Sequence, residues 1–211
     1  MSNMSNFPVI EQGTIAGNLY DKYHTKNPIA RFLVKRFLNV ILDLVKLSGV
    51  SEIHEVGCGE GYLAATLIQL PNIKKVRASD FSARIIEKAL ILHKDKNINF
   101  FVRNIYELTN DDVSEMIVCC EVLEHLEYPE KALEILSTLS RPYCLLSVPR
   151  EPIWRIMNIL RGKYLRDFGN TPGHIQHWSK REFLQLVNKY FDIVVVRTPL
   201  PWTVVLAKNI K

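Results

Sequence analysis

From about residue 50 onward, short apolar runs of strand length alternate with stretches whose apolar residues recur at helical spacing. The strand-like runs fall at 52–56, 75–79, 98–103, 116–121 and 143–148, and the helical stretches at 62–70, 82–93, 129–139 and 179–190. Ser82 and Ser179 stand at helix starts as N-caps, and Ser179-Lys180-Arg181-Glu182 has the spacing of a capping box. Ahead of this region, Asn27-Pro28 opens a helix that Gly49 ends, with an expected apolar face of Ile29, Phe32, Leu33, Phe37, Val40, Ile41, Leu44 and Leu47. Such alternation calls for a parallel sheet with helices on both faces. The ending breaks the pattern: 191–198 and 202–208 flank Pro199-Leu200-Pro201, a connection short enough only for antiparallel strands. The predicted fold class is therefore α/β, a three-layer doubly wound sheet of seven strands, mostly parallel, with an antiparallel C-terminal hairpin strand.

The chain has 211 residues, 47% of them hydrophobic, enough for one domain with a substantial core. No apolar run approaches about 20 residues, and the polar start MSNMSN lacks a signal peptide's apolar segment. The cysteines Cys58, Cys119, Cys120 and Cys144 have no zinc-type spacing and read as reduced, buried residues of a cytoplasmic protein. A net charge of +5 reads as a solvated surface rather than a nucleic-acid face.

The chemistry begins at Glu55-Val56-Gly57-Cys58-Gly59-Glu60-Gly61, between a strand signal and a helical one. Three glycines in five residues at such a turn suit close approach of backbone to a ligand. The next strand ends at Ser79-Asp80, followed by Phe81, which puts a carboxylate where it can bind both hydroxyls of a ribose. A nicotinamide site wants G-x-G-x-x-G, but the sixth position here is Tyr62.

With the motifs EVGCGEG (55–61), SDFS (79–82), RNIYEL (103–108) and CCEVLEH (119–125), the chain resembles the class I S-adenosylmethionine-dependent methyltransferases over residues 27–208. The EVLEH stretch further resembles the ubiquinone-pathway O-methyltransferases. The resemblance implies S-adenosyl-L-methionine as cofactor, with S-adenosyl-L-homocysteine as product. Glu55 and the backbone of Gly57, Cys58, Gly59 and Gly61 would face its methionine half. Asp80 would take the ribose hydroxyls, Phe81 would pack on the adenine, and Ile105 would offer its backbone N–H to the ring. Asn104 stands where the family often has Asp and would accept from the adenine amino group through its carbonyl. Cys120 and Glu121 would lie beside the sulfonium.

A second constellation follows. Glu121, Glu124 and His125 form E-x-x-E-H at the expected carboxyl edge of the sheet; a helical turn there would bring the three together. His174 stands four residues before Trp178, as the distal histidine does in the small-RNA 2′-O-methyltransferases that the pattern also resembles. That resemblance implies Glu121, Glu124, His125 and His174 as ligands of a divalent metal ion such as Mg²⁺, Mn²⁺, Fe²⁺ or Zn²⁺. The alternative is metal-free, with His125 or His174 as general base or substrate-positioning group and Glu124 and His125 tied to the strand end. His177 is the weaker candidate of the distal pair.

Residues 1–26 are expected to be an irregular segment that closes over the cofactor, with Tyr23 or Arg31 near the methionine carboxylate; 27–211 form the catalytic domain. Within it, about 150–178 would be a substrate lid. Its Ile153, Trp154, Ile156, Met157, Ile159 and Leu160 exceed what one buried stripe needs, and arginines and a lysine flank them. A sticky, basic lid favours a small hydrophobic acceptor and peripheral membrane contact, with nucleic acid disfavoured as partner. The expected reaction is O-methylation of a small lipophilic hydroxylated or quinol-like acceptor. The alternatives are metal-dependent RNA 2′-O-methylation and cofactor binding by an interaction protein without turnover.

Overall fold

The structure, a computed structural model, describes residues 9–11, 14–17 and 25–210. Where an irregular start is expected, β1 (Val9–Glu11) and β2 (Thr14–Ala16) form a short antiparallel ribbon. Tyr23 and its neighbours at 18–24 lie outside the described residues. Helix α1 (Pro28–Ser48) starts where the Asn27 side chain accepts from the backbone N–H groups of Ile29 and Ala30, at 2.9 and 3.1 Å. It stops at Gly49, which takes the left-handed conformation of a C-cap at φ 71°. Its buried stripe is Val34, Phe37, Ile41, Leu44 and Val45, not the whole expected face. Ile29, Phe32 and Leu47 are exposed, because a helix this apolar carries two overlapping stripes and only the sheet beneath decides between them.

The main elements follow as β3 (Glu52–Val56), α2 (Tyr62–Leu67), β4 (Lys75–Asp80), α3 (Ala83–Leu92), β5 (Ile98–Val102), β6 (Ser114–Cys120), α4 (Pro129–Leu139), β7 (Ser140–Pro149), α5 (Ile153–Leu160), α6 (Lys180–Val187), β8 (Phe191–Arg197) and β9 (Trp202–Asn209). The seven-stranded sheet has the order β5-β4-β3-β6-β7-β9-β8. β3 through β7 are parallel, while β9 inserts antiparallel between β7 and β8, so one strand is reversed as expected.

Period two in the strands divides the core. Met116 and Val118 of β6, Leu145 of β7 and Val204 and Leu206 of β9 join the cluster under α1. Their neighbours Ile117, Cys119, Cys144, Leu146 and Val205 join the cluster under α4 and α6. Each fully buried aliphatic or aromatic side chain adds roughly 1.5–3 kcal/mol. The chain runs from β3 to β4 and β5 on one side, then returns to β6 and β7 on the other. This reversal opens a crevice at the carboxyl ends of β3 and β6, where ligands bind in open α/β sheets.

Candidate functional site

A cleft of about 630 Å³ occupies that crevice. One end is built by the loops after β3, β4 and β5. The carbonyl of Ser79 accepts from the N–H groups of Gly57 and Cys58, at 2.8 and 2.9 Å, and so ties the glycine loop to the end of β4. Gly57 and Gly61 sit at φ +74° and +78°, where a side chain is strained. A Cβ on Gly57 would come within 2.4 Å of the Val122 side chain, and one on Gly61 within 2.6 Å of Phe100. The glycines are thus demanded by the turn and by protein neighbours, while Gly57, Cys58 and Gly59 line the cleft and Gly61 lies at the start of α2. Burial first, and the negative field of Glu55 next, push the Cys58 thiol well above its usual range, so it stays protonated.

Asp80 is buried but lines the cleft. One carboxylate oxygen accepts from the Gly59 N–H at 3.0 Å and the other from the Ser82 N–H at 3.0 Å. Each oxygen has a second lone pair, so the same carboxylate that shapes the loop can also accept from a diol. Phe81 packs on Ile85 and lines the cleft with Glu55, Asn104 and Ile105. The Asn104 carbonyl accepts from the Tyr106 N–H at 3.1 Å, capping the 3₁₀ turn Ile105–Glu107. Its side chain could offer a ligand the second lone pair of that oxygen and the amide N–H₂. Gly17, just after β2, also lines this end; Arg31 is exposed on α1 and does not line the cleft.

The other end is assembled from distant segments. Glu124, His125 and His174 bring one ligand atom each within 4.8 Å of one another. Glu124 and His174 are buried, and His125 faces the cleft. Backbone hydrogen bonds hold the cluster: Ile175 and Gln176 N–H both donate to the Glu124 carbonyl at 3.0 Å. His125 Nδ1 lies 2.9 Å from the Gly173 carbonyl. A carbonyl only accepts, so Nδ1 carries the proton and Nε2 is left as the basic or ligating nitrogen. The two imidazoles meet edge-on at 4.8 Å, and Trp154 of α5 lies 5.7 Å from His174; apart from Gly173 and Ile175, the expected lid at 150–178 does not line the cleft.

Glu121 stands apart from this cluster, contrary to its expected place as a fourth ligand. The chain makes a 3₁₀ turn over Leu123–His125 rather than a longer helix, and Glu121 precedes it at φ 59°. Its carboxylate accepts from Ser147 Oγ at 3.1 Å and Trp202 Nε1 at 2.6 Å, while Glu121 and Cys120 still line the cleft. Trp202 packs tilted against Phe37 at 4.6 Å and edge-on against Trp154 at 5.8 Å. His177 bonds Asn170 at 2.7 Å, outside the cluster. Sequence reasoning missed Arg103, Tyr106, Phe37 and Ile175 as cleft residues. Arg103 directly follows β5 at the carboxyl edge, a findable signal; Phe37 and Ile175 arrive only through packing.

The two imidazoles and one carboxylate suit a divalent cation of the zinc, iron or manganese kind and leave coordination positions for a substrate's oxygens.

A family described as "Methyltransferase domain" matches residues 29–193. The mitochondrial ubiquinone biosynthesis O-methyltransferase of Dictyostelium discoideum is 26% identical over 191 residues, covering 82% of this chain and 54% of that protein. The chain spans about half the length of the curated relatives it matches. Magnesium protoporphyrin IX methyltransferase from Synechocystis PCC 6803, with bound SAH, superposes with a TM-score of 0.68 at 16% identity, over 88% of this chain and 89% of that one. Small RNA methyltransferase HEN1 superposes with a TM-score of 0.67 at 18% identity, over 84% of this chain and 25% of that one. At such identities the superpositions speak for the fold.

Proposed function

Because the chain belongs to the methyltransferase-domain family and has the class I S-adenosylmethionine-dependent methyltransferase fold, we propose that it O-methylates a small, lipophilic, hydroxylated or quinol-like acceptor with the help of a divalent cation. The observation that carries this reading is the Glu124, His125 and His174 cluster, whose His125 opens into the same cleft as Asp80 and the glycine loop.

The cofactor brings its own electrophile, so the protein's work is to bind, align and dehydrate. In this reading Asp80 accepts from the ribose hydroxyls, Phe81 and Ile105 flank the adenine, and Asn104 meets the ring edge. Glu124, His125 and His174 would hold the cation, which would lower the pKa of a bound hydroxyl and fix its oxygen. The Gly173 carbonyl engages His125 Nδ1, so in this reading Nε2 is the nitrogen that would hold the cation. Phe37, Val122, Leu126 and Ile175 give the cleft apolar walls that exclude water and favour a lipophilic acceptor.

Titration calorimetry with S-adenosylhomocysteine and with Mn²⁺ or Zn²⁺, on chelator-treated protein, tests the proposal. Stoichiometric binding of both is expected, followed by methyl transfer to a catechol or quinol panel. Cofactor binding without a metal isotherm would overturn the cation's role and leave His125 or His174 as base. A ribose diol is the other acceptor this donor set suits, and label appearing on RNA but not on small phenols would replace the acceptor class.

A further inference from the structure

Glu121 belongs to neither group of side chains described above, yet the fold fixes it in the cleft wall. Its φ of 59° is a left-handed conformation, costly for a residue with a side chain. Strands β7 and β9 keep it there. Its N–H donates to the Ser147 carbonyl at 3.1 Å, one carboxylate oxygen accepts from Ser147 Oγ at 3.1 Å, and the other accepts from Trp202 Nε1 at 2.6 Å. Both side-chain donors are neutral, so they orient the carboxylate without cancelling its charge. Trp202 is itself 4% exposed and in ring contact with Phe37 and Trp154, which leaves the indole N–H little freedom. A strained residue fixed in this way points to a task for the group it presents.

Its place along the cleft says which task. Cys120 ends β6, Glu121 follows it, and the Leu123–His125 turn comes next. Val122 fills the space that a Cβ on Gly57 would take. The turn that bears Glu121 thus touches the glycine loop on one side and carries Glu124 and His125 on the other. The proposed function puts the ribose at Asp80 and the acceptor beside His125, so the methyl group has to pass from the one region to the other.

That passage changes one charge. As the acceptor oxygen forms its bond to the methyl carbon, the carbon–sulfur bond breaks and its electron pair stays on sulfur. The sulfonium becomes a neutral thioether, and the hydroxyl proton goes to solvent. The ribose and the amino-acid end are alike in S-adenosylmethionine and S-adenosylhomocysteine, so neither Asp80 nor Glu55 can tell the two apart. A carboxylate beside the sulfur can, because it attracts only the charged form. This attraction stabilises the bound cofactor and fades as the charge is lost, so it does not speed the transfer. What it favours is exchange of the spent cofactor for a fresh one.

We propose that Glu121 is a specificity residue that favours the charged cofactor over its neutral product. The inference rests on the cofactor placement proposed above, and it is independent of the acceptor's identity and of the cation.

The test is calorimetry with S-adenosylmethionine and with S-adenosylhomocysteine, in the absence of acceptor, on the wild type, Glu121→Gln and Glu121→Asp. Gln keeps the shape of the side chain: its carbonyl can accept from Trp202 Nε1 while its amide donates to Ser147 Oγ, so the charge alone is lost. In Glu121→Gln the affinity for S-adenosylmethionine should fall about tenfold or more, the scale of one charge at close range in a partly wet cleft. Affinity for S-adenosylhomocysteine should stay within about twofold, which also shows that the variant is folded. Glu121→Asp keeps the charge, so its ratio of the two affinities should lie nearer that of the wild type. Equal loss of both ligands, no change in either, or the same ratio in the Gln and Asp variants overturns the inference. So does loss in Glu121→Gln of a Mn²⁺ isotherm that the wild type shows, which would make Glu121 a ligand of the cation. Failure of the wild type to bind either nucleoside would overturn the cofactor placement, and the inference with it.

Discussion

The two ends of the cleft are made differently. The glycine-loop end consists of consecutive residues at three neighbouring strand ends: the Ser79 carbonyl holds the Gly57 and Cys58 N–H groups, and the Asp80 carboxylate holds those of Gly59 and Ser82. The other end joins Glu124 and His125 to His174, about fifty residues away, and the ring contacts run from His174 through Trp154 and Trp202 to Phe37. One end is built from consecutive residues at adjoining strand ends; the other joins segments about fifty residues apart, through the Ile175 and Gln176 N–H groups on the Glu124 carbonyl and through ring contacts. The difference teaches where such a fold can vary one end of its cleft without disturbing the other: the segment that carries His174 can change while the β3 and β4 turns stay.

The sharpest way to break that comparison is Asp80→Ala. If the proposed cofactor contact holds, two charge-assisted hydrogen bonds to a ribose disappear together with the anchors of the Gly59 and Ser82 amides. Affinity for S-adenosylhomocysteine should fall by about a hundredfold or more in calorimetry. An unchanged affinity would mean that Asp80 serves only the loop and the α3 cap. Glu124→Gln and His174→Ala should do the reverse: metal affinity drops by about tenfold to a hundredfold, while cofactor affinity changes by less than about threefold. Equal loss of both would make the cluster structural and the two ends one unit.

A buried group that belongs to neither chemistry sharpens the cofactor end. His54, fully buried in β3, bonds the Asp112 carbonyl at 3.1 Å and Ser79 Oγ at 2.9 Å. Burial, helped by the fields of Arg77 and Arg103, lowers its pKa from 6.5 to about 4. In the unfolded chain His54 takes a proton near pH 6.5, well before it does in the fold. Its contribution to stability is complete above that pH and is lost as pH falls toward about 4, where the loss levels off at roughly 3 kcal/mol. Urea midpoints between pH 7 and 4 should show this slope, and His54→Asn should flatten it. A slope unaltered in the variant would assign the acid sensitivity to other groups.

How much of this was readable from sequence follows the same division. The glycine loop, Asp80 and the antiparallel closing hairpin were legible because each is a contiguous motif, where period and turn chemistry act locally. The face of α1 was half legible, since Ile29 and Phe32 keep helical spacing yet face away from the sheet. The turned carboxylate of Glu121 was not legible at all. It depends on the left-handed φ at Glu121 and on the antiparallel register that pairs Pro149 with Trp202, neither of which a pattern of side chains encodes.

That register gives the smallest and most selective test. Trp202→Phe should keep much of the packing against Phe37 and Trp154 but remove the indole N–H that holds Glu121. Ser147 Oγ remains as a donor, and the freed carboxylate oxygen lies at the cleft, where water can reach it. The cost should therefore be about 1–2 kcal/mol in unfolding free energy, at the low end for a hydrogen bond to a charged group. Cofactor affinity should stay within about threefold, because no backbone hydrogen bond of the glycine loop or Asp80 passes through Trp202. A tenfold loss of S-adenosylhomocysteine affinity would instead show that the strained turn at Glu121 transmits to the loop after β3, where the Val122 side chain already fills the space a Cβ on Gly57 would take. The two ends would then be coupled through that one contact.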